Sequence, residues 1–105
     1  MSRVRELDQR EEPLKIRTGE WAKNIGVAIK EIHIRQMRNK WASASTAGRI
    51  TLGTDVLVLK SYLQDYIIVH ELIHLRVPNH GKLWKSLMRA YLGDYEVMER
   101  RLPKR

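Results

Sequence analysis

The segment His70-Glu71-Leu72-Ile73-His74 reads H-E-x-x-H and lies inside the longest apolar stretch of the chain, Tyr66 to Leu75. A helix that is apolar on nearly every side has to be buried, so the chain must fold around this segment as a central helix. On that helix, residues four apart share a face one turn above each other, which brings His70 and His74 side by side. Two imidazoles so placed reach one Zn²⁺ at roughly 2.0–2.1 Å. Glu71, one step round the helix, then lies beside the metal's open position and can take a proton from water there.

The flanking residues supply the ends of the helix and a further ligand. Ser61 with Gln64 three residues on reads as a capping box, and Pro78 stops the helix at about Arg76. Asn79 is suited to cap a second helix from His80 to Leu92, with an apolar face of Leu83, Trp84, Leu87, Met88 and Tyr91. His80 shares that inward stripe, six residues after His74 and across a turn, and is the expected third ligand. With Cys 0 there is no thiolate site, and no fourth protein ligand is evident. Three ligands and an open position describe catalytic rather than structural zinc, one ion per chain. The spacing of His70, His74 and His80 also matches the metzincin pattern H-E-x-x-H-x-x-G-x-x-H. The glycine of that turn falls on Val77, however, and a proline-ended helix followed by a second helix takes its place. His33, the remaining histidine, has no ligand-spaced partner and reads as packing.

Upstream, residues 1–12 read as a flexible segment or a frayed helix, and the alternation in Leu14-Lys15-Ile16-Arg17 as a short strand. Thr18 then caps a helix over about Gly19–Lys30. From Ile32 the period becomes two, giving a strand to about Met37. Trp41–Ala44 and Arg49–Leu52, joined by the turn Ser45–Gly48, form a hairpin. Gly93-Asp94 ends the last helix, and 93–105 reads as a charged tail. The catalytic domain is expected over 13–92, with an α+β fold. The 105 residues are enough for one core.

A net charge of +8 invites a nucleic-acid reading, but acids are interleaved with the bases, which describes a mixed-charge surface. No apolar run is long enough for a membrane span, no secretory leader is evident, and there is no cysteine; the expected compartment is the cytoplasm.

The text 38–45, then Gly48-Arg49-Ile50-Thr51-Leu52, then Asp65 through Leu75, then Asn79-His80-Gly81-Lys82-Leu83-Trp84, resembles the YgjP-like metal-dependent hydrolases. A free-standing domain of this length further resembles the minigluzincins, minimal soluble zinc metallopeptidases related to catalytic domains of integral-membrane peptidases. The resemblance covers about Ile32 to Leu102. It implies a gluzincin-type fold, in which a small twisted sheet packs on an active-site helix and a following helix donates the third ligand, here His80. It departs from the family at Ala42 and Ala44, where Gly and Cys are common, and at Gly53, where Asn is frequent. It also implies that the segment after the last helix can cover the cleft and make the protein latent. Here that segment is Gly93 to Arg105, and it has two readings: a cover that shields the zinc through a carboxylate such as Asp94 or Glu96, or a disordered basic tail.

The resulting expectation is a zinc metalloendopeptidase acting on a peptide or protein. Ala42, Ser43, Ala44 and Ser45 hold the substrate as an added strand, and Tyr91 or Tyr95 stabilises the oxyanion. The unit is a monomer or a tail-exchanged homodimer. Two other readings use the same site: a zinc hydrolase of nucleotide phosphoanhydrides, and a nucleic-acid-associated protease of the SprT-like kind.

Overall fold

Helix α2 (Ser61–His74) is the centre of the molecule. Leu63, Tyr66, Ile67, Ile68, Val69, Leu72 and Ile73 are buried on all sides of it. Burial of each aliphatic side chain contributes roughly 1.5–3 kcal/mol, so the metal motif sits on the best-anchored element of the chain. This is a computed structural model describing residues 3–104, with side chains over 9–104. Before α2 come helix α1 (Arg3–Ile25), strands β1 (Glu31–Arg35), β2 (Ala42–Ala44) and β3 (Arg49–Gly53), and a 3₁₀ turn at Thr54–Val58. After it come α3 (Lys82–Leu92) and α4 (Tyr95–Arg101). The mixed α+β architecture is the one expected.

The N-terminal half differs from its reading. The strand expected at Leu14–Arg17 is part of α1, which also includes residues 3–12 and carries Pro13 inside it. Leu14, Thr18, Ala22 and Ile25 are all buried, a spacing of four, four and three that one helical face requires. Ile16, whose alternation with Leu14 suggested a strand, is 53% exposed. Thr18 is no cap: its hydroxyl donates to the Leu14 carbonyl one turn back, at 2.8 Å. The helix ends at Ile25 rather than Lys30 because Gly26 takes a φ of 85°, a left-handed conformation suited to glycine. The expectations for Met1, Ser2 and Arg105 lie outside the described residues.

The sheet has the order β1-β3-β2, with β1 parallel and β2 antiparallel to β3. Ala42 pairs with Leu52 and Ala44 with Ile50, the hairpin read from the sequence. Gly48 closes its turn at a φ of 96°. Among the described residues β2 pairs on one side only, and its residues line a cavity with His70, Glu71 and His74 of α2.

Two further corrections concern the helix ends. Lys60, not Ser61, is the N-cap of α2. Gln64 instead donates to the Val56 carbonyl at 2.8 Å and accepts from Arg17 at 2.6 Å. Arg17 also pairs with Asp65, which accepts a second bond from the Trp21 indole at 3.0 Å. This cluster ties α1 to the first turns of α2. At the other end, the segment read as a charged tail forms α4. Tyr95 is 2% exposed, and Met98 and Leu102 pack against the core with it.

Candidate metal centre

His70 and His74 emerge from the last turn and a half of α2, with ring centroids 4.7 Å apart. His80 reaches them from the connection to α3, its ring 5.2 Å from that of His70 and 4.6 Å from that of His74. His80 is therefore a loop residue, not the first residue of α3, which begins at Lys82 with Gly81 as its N-cap. Asn79 shapes the approach by accepting a bond from the Gly81 N–H at 3.0 Å. Leu83, expected to face inward, is 60% exposed. Trp84, expected on the same face, does fill the inner side, with its ring centroid 5.2, 6.0 and 4.5 Å from those of His70, His74 and His80.

Each ring has a feature that turns it towards a common point. A carbonyl can only accept, so the His74 Nδ1–H donates to Val77 at 3.2 Å and leaves Nε2 as the lone-pair nitrogen. The His74 and His80 Nε2 atoms are 2.8 Å apart. His70 directs Nδ1 to the Glu71 carboxylate, at 3.3 Å. Burial, and then the charges of His70 and His74, hold His80 below its ordinary pKa, which favours the neutral form that ligates metal. The candidate nitrogens of all three lie within 4.8 Å of one another. A tetrahedral ion with bonds of roughly 2.0–2.1 Å needs nitrogens about 3.3 Å apart, so small ring rotations fit these residues to it. Three imidazoles without thiolate suit a borderline ion such as Zn²⁺ better than Mg²⁺ or Ca²⁺.

The cluster and Glu71, whose side chain is 13% exposed, face a cleft with two halves. One half, about 390 Å³, is lined by Ala42 through Thr46, His70, Glu71, His74 and Pro78. The other, about 530 Å³, is lined by Trp41, Ala42, Tyr66, Ile67, His70 and Glu71, and on its far wall by Glu99, Leu102, Pro103 and Lys104. Lys40 borders both halves. The four β2-region residues singled out for substrate thus line the cleft together with the motif.

Other expected site residues lie elsewhere. Tyr95 is buried with its ring 5.8 Å from that of Trp84 and the Arg89 guanidinium over its face, so it cannot turn to an oxyanion in the cleft. Tyr91 packs against the core and lines neither half. Asp94 is exposed at the start of α4, and Glu96 pairs with Arg89 at 3.2 Å. The tail carboxylate in the cleft is Glu99, which accepts from the Tyr66 hydroxyl at 3.2 Å. Tyr66 was legible in principle, since it precedes His70 by four residues and shares its face. Glu99 was not, because nothing in a charged tail distinguishes one glutamate from another.

Comparisons with known proteins identify the family and the fold. The YgjP-like metallopeptidase domain matches residues 5–105. An uncharacterized protein of Methanocaldococcus jannaschii is 36% identical over 81 residues, 72% of each chain. The fold is shared with the metallopeptidase zymogen abylysin of Pyrococcus abyssi, at a TM-score of 0.75 and 23% identity over 84% of this chain and 90% of that one. It is likewise shared with the metallopeptidase zymogen jannalysin of M. jannaschii, at 0.75 and 28% over 84% and 91%. By domain match and by the identity to its relative, this chain belongs to the YgjP-like metallopeptidase family.

Proposed function

We propose that the protein is a zinc-dependent endopeptidase in which His70, His74 and His80 hold one ion, Glu71 is the general base, and the C-terminal segment restricts the cleft. The observation that carries this reading is the convergence of three imidazoles and a shielded carboxylate beside a cleft lined by β2. When bound, Zn²⁺ supplies Lewis-acid polarisation of the scissile carbonyl and acidifies water. Glu71 takes the proton of the attacking water and returns it to the leaving amine. An extended peptide adds to β2 through its backbone, and the short side chains of Ala42, Ser43, Ala44 and Ser45 leave the substrate's own side chains room.

Latency is part of the same reading. Glu99, Leu102, Pro103 and Lys104 share one half of the cleft with His70 and Glu71, and abylysin and jannalysin are zymogens. Glu99 takes the place expected of Asp94 or Glu96. The unit is a monomer or a homodimer that exchanges this tail. Among the described residues no helix is long and apolar enough to cross a membrane.

The test is metal content and peptide cleavage on the purified full chain. Close to one zinc per chain is expected, with cleavage of casein or a fluorogenic peptide reduced by at least about 10²-fold in Glu71→Gln. Less than about half a zinc per chain after metal-replete purification sinks the metal assignment. Hydrolysis of nucleotides but not peptides, or DNA binding with a steep salt dependence, points to the other two uses of the site.

A further inference from the structure

The wall of the cleft opposite α2 holds a contact that the peptidase reading does not use. The Trp41 indole N–H donates to the backbone carbonyl of Pro103 at 3.1 Å. Trp41 immediately precedes β2, and its backbone is fixed by the sheet: the Gly53 N–H donates to the Trp41 carbonyl at 2.8 Å. Gly53 permits this approach, since a Cβ there would stand 3.1 Å from that same carbonyl. The residue before the bound proline, Leu102, is extended with φ −72° and ψ 126° and packs against the core. Leu102 and Pro103 line the same half-cleft as His70 and Glu71.

We infer that Trp41 is a substrate-positioning residue, its indole N–H anchoring a backbone carbonyl of the bound peptide, and that Leu102-Pro103 occupies this subsite in the place of substrate. The inference rests on the peptidase reading above and assigns it a substrate class: an extended peptide with an aliphatic side chain just before the anchored carbonyl. The tail offers the anchor what such a peptide offers, an extended backbone, an aliphatic side chain and a carbonyl. It differs in one respect that suits a displaceable occupant. Pro103 has no N–H, so it cannot donate to the edge of β2 as an added strand does. A substrate residue with its N–H intact gains that bond and displaces the tail.

The experiment uses the full-length zinc protein, its Trp41→Phe variant, and fluorogenic peptides lengthened one residue at a time on each side of the scissile bond. Phenylalanine keeps an aromatic ring and removes the donor. In the wild type, kcat/KM rises at the peptide length that reaches the anchor. In Trp41→Phe that step is smaller by about 3–10-fold, the worth of one neutral hydrogen bond. Identical length profiles in the two proteins, with both raised by a common factor, overturn the inference: Trp41 then holds only the tail. A second measurement does not need hydrolysis or the variant. The Trp41 indole N–H resonance of full-length Glu71→Gln is expected to shift on titration with the longest peptide and not with one stopping short of the anchor. A resonance unmoved at peptide concentrations that shift the β2 amides also overturns it. A Trp41 shift in a protein that cleaves no peptide refutes the peptidase reading and leaves the subsite in place.

Discussion

Replacing Tyr66 by Phe removes one hydroxyl and isolates the link between α2 and the tail. The phenol ring is buried beside His70, with centroids 5.8 Å apart, and the substitution leaves the ring in place. Burial first, and then the Glu99 carboxylate, push the phenol well above its ordinary pKa, so the hydroxyl remains a donor throughout the range of any peptidase assay. The bond it gives Glu99 is 3.2 Å long, at the weak end for an O–H donor. Glu99 is exposed, so water competes for its carboxylate. We therefore assign the bond about 1 kcal/mol, below the usual worth of a charged acceptor. That energy is roughly a fivefold change in the ratio of closed to open tail. Tyr66→Phe is expected to raise cleavage of a protein substrate by up to about fivefold, and to increase hydrogen exchange of the amides in 99–102 while leaving those of α2 protected. Two results refute the reasoning. Unchanged exchange and unchanged activity mean that the bond holds nothing closed. A fall in kcat of more than about tenfold means that the hydroxyl acts on the substrate instead.

The remaining perturbations act on the metal, the helix tether and the sheet. Removing the metal with a chelator is expected to lower the Tm: zinc at 100 times its dissociation constant adds about 2.7 kcal/mol, or roughly 10–20 °C for a domain of this size. A calorimetric scan that does not move refutes a site linked to folding. Asp65→Ala leaves Arg17 and the Trp21 indole without the acceptor they share; a loss of about 1–3 kcal/mol in urea unfolding is expected. Gly53→Ala places a Cβ 3.1 Å from the Trp41 carbonyl. The expected cost is about 1–3 kcal/mol, and the peptide-length step assigned to Trp41 should weaken with it.

The residues that were legible in the sequence are those whose constraint is local. H-E-x-x-H states its own geometry once it is helical, and Ala42–Leu52 states its register through alternation and a glycine turn. Elements lost in reading were decided by tertiary partners. Leu14 and Ile16 alternate as a strand would, yet Leu14 pairs in burial with Thr18 and Ala22, because the long apolar surface of α2 offers a helix more area than a short strand can cover. The capping box at Ser61 failed because Gln64 had better partners in Val56 and Arg17. In the tail, Tyr95, Met98 and Leu102 are spaced three and four apart, a helical stripe hidden among Glu96, Glu99, Arg100 and Arg101. His80 was placed near His70 and His74 by its spacing, but for a partly mistaken reason: the loop before α3 delivers it, and of the two residues whose stripe it was expected to share, Trp84 packs on it while Leu83 is exposed.

That packing divides the C-terminal segment into two parts with opposite roles. Trp84 touches all three histidine rings and is itself packed edge-on against Tyr95. Under the proposed function, the first turn of α4 therefore belongs to the foundation of the metal centre, while Glu99 and Leu102–Lys104, which line the cleft, belong to its cover. A chain ending at Leu92 should not simply open the cleft. Losing the buried Tyr95 ring costs about 3–5 kcal/mol by the measure of large-to-small core changes, and it removes one wall from Trp84, so zinc affinity should fall along with stability. A chain ending at Leu102 keeps Tyr95, loses the carbonyl that Trp41 holds, and is expected to retain its zinc and Tm while cleaving peptides faster. Competition with a chelating dye and a thermal scan on the two shortened chains separate the roles. If the chain ending at Leu92 binds zinc as tightly as the full protein and is the more active of the two, all of α4 is cover and Trp84 needs no support from Tyr95.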